Sequence, residues 1–453
     1  VRDSSDRRAD YAQKKHRRNA VSTLSILGGR VIDPASGLDA ITDVHVINEK
    51  IVAIGTPPPN FHADAGRHID ARGLIVCPGL VDLSVRLREP GAEHKGTILS
   101  ETRAAANNGI TSICCPPDTS PVIDTPAVAE LLRQRASNSG MAKVYPLAAL
   151  TKNLQGIQLA EMNDLKEAGC IGVSNTLQPI ENTEVLRHAM EYAANFDLTL
   201  FIHPKDPWLG RSGCMHEGEV STRLGLTGIP EQAETISIAN HLLLIEMTGV
   251  RAHFCRLSTA RAVEMIATAQ ARGLPVTADV CAHQLFLTDH DIVDYNAQYR
   301  VYPPLRSVRD KQQLRAGILS QTVNAICSDH QPHEVDAKRV PFAMAAFGIS
   351  ALDTFLSLTL RFAEEMQLAL PTALNYVTHC PATILRIDAG QLAVGNVADI
   401  CIFDPERRWK LQTETMHSCG TNSPFLEQEF KGQVIHTLIN GKVVFSATRL
   451  QSK

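Results

Sequence analysis

No apolar stretch in this 453-residue chain approaches the ~18–20 residues that a bilayer-spanning helix needs. The N-terminal segment lacks the apolar core of a secretory signal. Neither sign of charge dominates: 44 basic and 48 acidic side chains leave a formal net charge of −4, which argues against nucleic acid or an anionic membrane as partner. Eleven cysteines are present, but none shows the clustered spacing of a zinc site or a disulfide-stapled small domain. Cys114, Cys115 and Cys327 sit in apolar, strand-like runs instead, where a free thiol behaves as a small hydrophobe. A reducing cytoplasm is the compartment this usage implies.

What is present falls into three parts. Residues 1–21 are polar and mixed in charge and read as a disordered tail. Short strands with turn signals follow at 24–28, 30–32, 43–47 and 50–54. The same pattern returns at 398–403, 433–439 and 442–445, with Asn440-Gly441 suited to a hairpin turn. Two β-rich ends flanking one long middle predict a composite β-sandwich domain from 22–76 and 388–448. The middle, 77–387, alternates strand and helix. Strands are expected at 79–87, 110–115, 143–149, 171–174, 198–203, 251–257, 276–282 and 323–328. Helices are expected at 127–136, 159–168, 183–194, 229–248 and 260–271, with Gly140, Gly169 and Gly273 placed where a helix end takes positive φ. This is the pattern of an α/β fold, a (β/α)8 TIM barrel. A doubly wound open sheet is the alternative, but no Gly-x-Gly-x-x-Gly follows the first strand.

Barrel chemistry gathers at the C-terminal ends of the strands. Read in order, those ends carry Ser84, Arg86 and Arg88, then Asp118, Asn175, His203, Arg256 and Asp329. Residues i and i+2 of a strand share a face, so a His-x-His pair at Ser84 and Arg86 would aim two imidazoles at one metal. Neither residue is a histidine, and a guanidinium has no lone pair to give. His203 alone reads more readily as a hydrogen-bonded core histidine than as a ligand. Asp329 ends an apolar strand, and a buried carboxylate needs a partner. Arg86 and Arg256 are its expected partners. His253 and Cys255 are expected to point outward into the helix layer; His330 and His333 lie in a loop near Asp329 and are not expected to form more than a weak mononuclear site.

At these residues the chain resembles the dihydroorotases of the amidohydrolase superfamily, in their bacterial long form. The resemblance rests on Arg30-Val31-Ile32-Asp33-Pro34, Pro78-Gly79-Leu80-Val81-Asp82, Leu87-Arg88-Glu89-Pro90-Gly91, Leu159-Ala160-Glu161-Met162, Leu257-Ser258-Thr259, Ser328-Asp329-His330 and Gly395-Asn396-Val397-Ala398-Asp399. It implies a barrel with a β-sandwich built from both chain ends. It also implies a zinc centre whose His-x-His pair falls on Ser84 and Arg86, whose bridging carboxylate falls on Asn175, and whose later histidines fall on His203 and Arg256. The general base falls on Asp329. Four of these six positions have lost a good ligand, and two of the four carry a fixed positive charge. The resemblance further places a substrate-carboxylate contact at Arg88, which is kept, and another at Asp118, where an asparagine is expected.

The reading that follows is a degenerate, non-catalytic dihydroorotase-like subunit with no metal and no cofactor. Its implied partner is the aspartate carbamoyltransferase catalytic subunit, in a cytoplasmic hetero-oligomer of pyrimidine biosynthesis. Asp329, Arg88 and Asp118 are then vestigial. Two alternatives stand beside it: an active zinc-dependent dihydroorotase or related cyclic amidohydrolase, and a metal-free module in which Arg86, Arg88 and Arg256 hold an anion.

Overall fold

The computed structural model describes residues 22–59, 61 and 68–447. The tail expected over 1–21 lies outside them, as does residue 448 at the end of the composite domain. Eight segments form the barrel wall, all in parallel register: Leu80–Asp82, Ile110–Cys115, Lys143–Pro146 continuing as Ala148–Ala149, Gly172–Ser174, Thr199–Ile202, Ala252–Phe254, Val276–Cys281 and Ala325–Cys327. Each falls within a stretch expected from sequence. The ring closes between the last and first strands, where His330 N–H donates to Ser84 O and Arg86 N–H donates to His330 O, both at 3.0 Å.

Strand alternation decides which side chains fill the barrel. Leu200, Ile202, Ala252, Phe254, Ala278 and Val280 pack outward against buried helix residues such as Leu186, Ile238 and Ile266. Their neighbours Cys114, Phe201, Cys255, Cys281 and Cys327 meet in the lumen with Val81, Leu147 and Ala325. The lumen cysteines are thus packing residues, as free thiols in apolar strands should be.

The expected helices appear as Pro126–Ser139, Met162–Glu167, Thr183–Asn195, Gln232–Thr248 and Ala260–Ala271. Gly140, Gly169 and Gly273 all take positive φ just past a helix. Three longer helices among the described residues were not expected: Ile98–Asn107, Val308–Leu319 and Phe355–Glu365. Val308–Leu319 buries only a thin apolar stripe, yet Ser307 and Asp310 form a reciprocal capping box that marks its start.

Strands from the two chain ends hydrogen-bond into one eight-stranded mixed sheet. Its alternation serves two cores. Ile32, Ile75, Cys77, Cys401 and Phe403 face the barrel, whereas Val31, Val76, Ile400, Ile402 and Ile435 face a separate core with Val44, Val46 and Ile51. The sheet folds back on itself, so that Ala398 N–H donates to Glu49 O at 2.7 Å and Ile51 N–H donates to Asn396 O at 2.9 Å. The Asn440-Gly441 turn lies at this closure, with φ of +50° and +70°. A Cβ on Gly441 would fall 2.0 Å from Asn48 O. Gly441→Ala is therefore expected to lower stability by about 1–3 kcal/mol through strain and clash together, read from the shift in urea-unfolding midpoint.

Candidate functional site

The strands stop short of the residues singled out from sequence, and the chain turns sharply there. Arg88, Arg256 and Asp329 take φ of +66°, +58° and +49°. A non-glycine residue in that region costs of order 1–3 kcal/mol, so its surroundings must hold it. For Arg256 the hold is visible: its N–H donates to Asp279 Oδ1 at 2.6 Å.

Asp329 is the centre of the barrel mouth. Its Oδ1 accepts from Arg256 Nη1, from Arg86 Nη1 at 3.3 Å and from Ser84 Oγ at 3.2 Å, while Oδ2 accepts from Gln331 Nε2 at 2.9 Å. Asp329 and Arg256 are each 1% exposed, and Arg86 6%. Burial alone would raise the Asp329 carboxyl's pKa, but the two guanidinium groups outweigh it and hold it below the usual carboxylate range. Arg86 continues the network outward, donating through Nε to Asp118 Oδ2 at 2.8 Å. Two buried cations and two carboxylates thus balance in formal charge. The ion pairing expected between Asp329 and both arginines is present.

The remaining residues join less fully. His203 Nδ1 lies 2.7 Å from Arg256 Nη2. Burial, then the charges of Arg256 and Arg86, push its pKa well below the ordinary histidine value, so the ring is neutral and Nδ1 is the acceptor. Asn175 stands apart: its Oδ1 accepts from Thr151 Oγ1 at 2.8 Å, and its Nδ2 donates to Leu154 O at 3.3 Å and Gln178 O at 2.8 Å. It braces two loops and makes no hydrogen bond to the Asp329 cluster. Arg88 turns to the loop after the last strand, donating through Nε to Pro332 O at 3.0 Å, with His333 beside Nη2.

One expectation needs correction. His253 and Cys255 do not point into the helix layer. Phe254 does, its ring 6.5 Å from that of His241, while His253 and Cys255 face the lumen. The expectation carried strand alternation through Arg256, but the strand ends at Phe254 and the positive φ at Arg256 breaks the alternation. Nor do His330 and His333 converge on Asp329. His330 Nε2 lies 2.8 Å from Glu101 Oε2, and His333 is surrounded by Arg88, Lys95 and Phe347 O.

Sequence reasoning also missed residues that build the site. Asp82 accepts from Ser84 N–H at 3.2 Å and Ser328 N–H at 3.0 Å, tying the first strand to the last. Glu101 and Asp279 anchor His330 and Arg256; both are acidic residues on buried faces, a signal that was available. His283, 2% exposed, has an unpartnered Nδ1, and burial followed by the opposing charges of Asp329 and Arg256 leaves its pKa at about 4.

A zinc ion needs three or four N, O or S donors. At the six positions in question, Arg86 and Arg256 have no lone pair to give, Asn175 is spent on loops, and Asp329 already accepts four hydrogen bonds. This residue set does not fit the metal. Among the described residues, one other group brings ligand atoms together: His253, Cys255 and Asp279, within 4.8 Å of one another. Both imidazole nitrogens are engaged there, by Thr277 Oγ1 at 2.8 Å and Asp279 Oδ2 at 3.0 Å. Burial also pushes the Cys255 thiol far above its ordinary pKa. That is a closed lumen network of a neutral thiol and paired side chains.

A sequence family described as dihydro-orotase-like matches residues 73–262. A "Dihydroorotase-like protein" of Pseudomonas aeruginosa is 50% identical over 419 residues, covering 92% of this chain and 98% of that one. The chain belongs to the dihydroorotase-like family. A "Dihydroorotase" of Geobacter sp. strain M21 is 41% identical, covering 94% of this chain and 99% of its own length. Among solved structures, the L-hydantoinase of Arthrobacter aurescens superposes with a TM-score of 0.82 at 22% identity, over 93% of this chain and 96% of that one. That likeness bears on the fold: a barrel carrying a sheet domain.

The dihydroorotase-like site makes two stability predictions. Asp329→Asn leaves the buried Arg256 guanidinium without its counter-charge, Arg86 keeping Asp118, and should cost about 3–5 kcal/mol. Asp329→Leu combined with Arg256→Met should cost less than that single change, by urea denaturation. The second concerns pH. His283 is neutral in the fold with a pKa of about 4, against ~6.5 unfolded, so the unfolded chain binds the extra proton first. Stability should fall as pH drops from about 6.5 to 4, by on the order of 3 kcal/mol from this group. His283→Gln should make the pH profile of the unfolding midpoint shallower over that window, His203 and His216 supplying slope that remains.

Proposed function

We propose that this chain is a non-catalytic dihydroorotase-like subunit that supports assembly and activity of an aspartate carbamoyltransferase in pyrimidine biosynthesis. The carrying observation is the Asp329 cluster, in which Arg256 and Arg86 supply the positive charge that a zinc ion supplies in a metal-dependent amidohydrolase. A fixed guanidinium balances the carboxylate but cannot lower the pKa of a bound water or open a coordination position to a ring amide. Asp329 accepts three of its hydrogen bonds at Oδ1 and one at Oδ2, and the two guanidinium groups that hold its pKa below the usual carboxylate range make it a weak base. What such a protein retains is a stable barrel and its surface, which is what holding a complex together requires. The name of the Pseudomonas aeruginosa relative, "Dihydroorotase-like protein", agrees with this reading.

Metal analysis and a dihydroorotate hydrolysis assay on the purified chain test the loss of chemistry. The expected result is substoichiometric zinc and no turnover above buffer; stoichiometric zinc with turnover would instead support the zinc-dependent cyclic amidohydrolase. The partnership is tested by co-purification. An aspartate carbamoyltransferase catalytic chain from the same cells should co-elute and lose activity when this chain is deleted; an unchanged activity counts against the proposal.

One observation favours a narrower second reading, a metal-free anion-binding module. Among the described residues Arg86 Nη2 is buried without a hydrogen-bond partner, and Arg86 lines a cavity of about 90 Å³ with Arg88, Gly91, Asp118 and Ser120. Calorimetric titration with small carboxylates and phosphate, repeated on Arg86→Met, decides it; equal heats from both proteins rule it out.

A further inference from the structure

The helix Ile98–Asn107 runs out just before the strand Ile110–Cys115 begins, at the end of the barrel opposite the mouth. There a cleft of about 60 Å³ opens between the barrel and the end sheet. Among the described residues Asp353 is the one carboxylate lining it, and no Lys or Arg joins it. Asp353 is 5% exposed. Its Oδ1 accepts from Asn108 Nδ2 at 3.2 Å and from His417 N–H at 2.9 Å. Its Oδ2 is buried with no hydrogen-bond partner among the described residues. A carboxylate desolvated to that degree calls for a positive charge. The helix adds to the demand: Asn107 and Asn108 at its C-terminus line the cleft, the dipole is negative at that end, and its last turn holds no basic residue. The walls are aromatic. Phe445 and the His417 ring meet edge to face at 6.0 Å, and Trp409 is fixed by donating from Nε1 to Gly432 O at 3.0 Å and by stacking on Phe430 at 5.3 Å.

We propose that this cleft binds a small organic ammonium ion, its charged head against Asp353 and its carbons against the rings of Trp409 and Phe445. A buried carboxylate supplies the counter-charge, and the negative faces of aromatic rings attract an organic cation. Calcium or magnesium is poorly matched, because such an ion takes about six or more oxygen ligands and the cleft offers one carboxylate. Carbon suits the walls better, with Leu356 and Val434 also lining the cleft. The volume holds about four water-sized groups, which limits the ligand to an amine of a few heavy atoms. The cleft shares no residue with the Asp329 cluster, so this binding does not rest on the carbamoyltransferase reading and holds or fails separately from it.

Fluorescence titration of the purified full chain tests the inference. The chain has two tryptophans, and Trp208 is 64% exposed, so Trp208→Phe leaves Trp409 as the sole reporter. At neutral pH and constant ionic strength, ethylammonium chloride should give a saturable change. Ethanol, similar in shape but uncharged, should bind about tenfold more weakly or worse. Asp353→Asn keeps an acceptor for Asn108 and His417 while removing the charge. It should weaken ethylammonium about tenfold or more, with far-UV circular dichroism unchanged. Should that variant unfold, the ratio of ethylammonium to ethanol affinity on the Trp208→Phe protein decides the matter alone. No saturable change overturns the proposal, and so does equal binding of ethanol, which marks an apolar cavity. A response to potassium chloride as strong as that to ethylammonium also overturns it, because such a site is indifferent to the carbons. So does a folded Asp353→Asn protein that binds ethylammonium undiminished.

Discussion

A carboxylate with 1% exposure at the mouth of a barrel must be paired, and much of the mouth's arrangement follows from how Asp329 meets that requirement. The charge comes from two guanidinium groups on different strands, Arg256 and Arg86. To reach Asp329, Arg256 leaves extended geometry and takes positive φ, and Asp279 secures that turn by accepting its N–H. The second carboxylate, Asp118, balances the second guanidinium. His203 completes the sequence of contacts as a neutral acceptor for Arg256. Desolvating these charges costs several kcal/mol per ion, and mutual pairing offsets that cost only because nearly every oxygen is engaged.

The same residues close the barrel. Ser84 donates to Asp329 through its hydroxyl, and its carbonyl accepts from His330, the bond that joins the first strand to the last. Asp82 pins both edges one step below, and His330 is held in turn by Glu101 from the helix Ile98–Asn107. The ring is therefore closed by backbone bonds and fixed side chains at the level where the charges sit. Closure and charge balance reinforce one another, and the protein's own side chains supply both.

The barrel was legible in the sequence because eight apolar runs separated by helical patterns leave few other folds, and each observed strand lies inside its expected run. The Asp329 pairing was legible for a similar reason: a carboxylate ending an apolar strand and two arginines at neighbouring strand ends have little choice. What was not legible lies where local geometry leaves the regular period. His253 and Cys255 were misassigned because the alternation breaks at Arg256, and no residue type there announces positive φ. The helix Val308–Leu319 was missed because its buried stripe is thin, although its capping box stood in the sequence.

Family membership and chemistry separate cleanly on physical grounds. The stability of this fold resides in the alternation of its strands, the two faces of its end sheet and the helices packed around the ring, and none of these depends on which atoms sit at the mouth. Exchanging metal ligands for arginines is tolerable only if the carboxylate left behind is balanced, and a guanidinium does that while giving up every lone pair that metal chemistry needs. A chain can therefore align over more than nine-tenths of its length, at 41–50% identity, with proteins named dihydroorotase and dihydroorotase-like, while the chemistry at its mouth is decided by a few residues there. Arg86 and Arg256 are the foremost of these, because each gives the buried Asp329 its counter-charge and sets a fixed positive charge beside it.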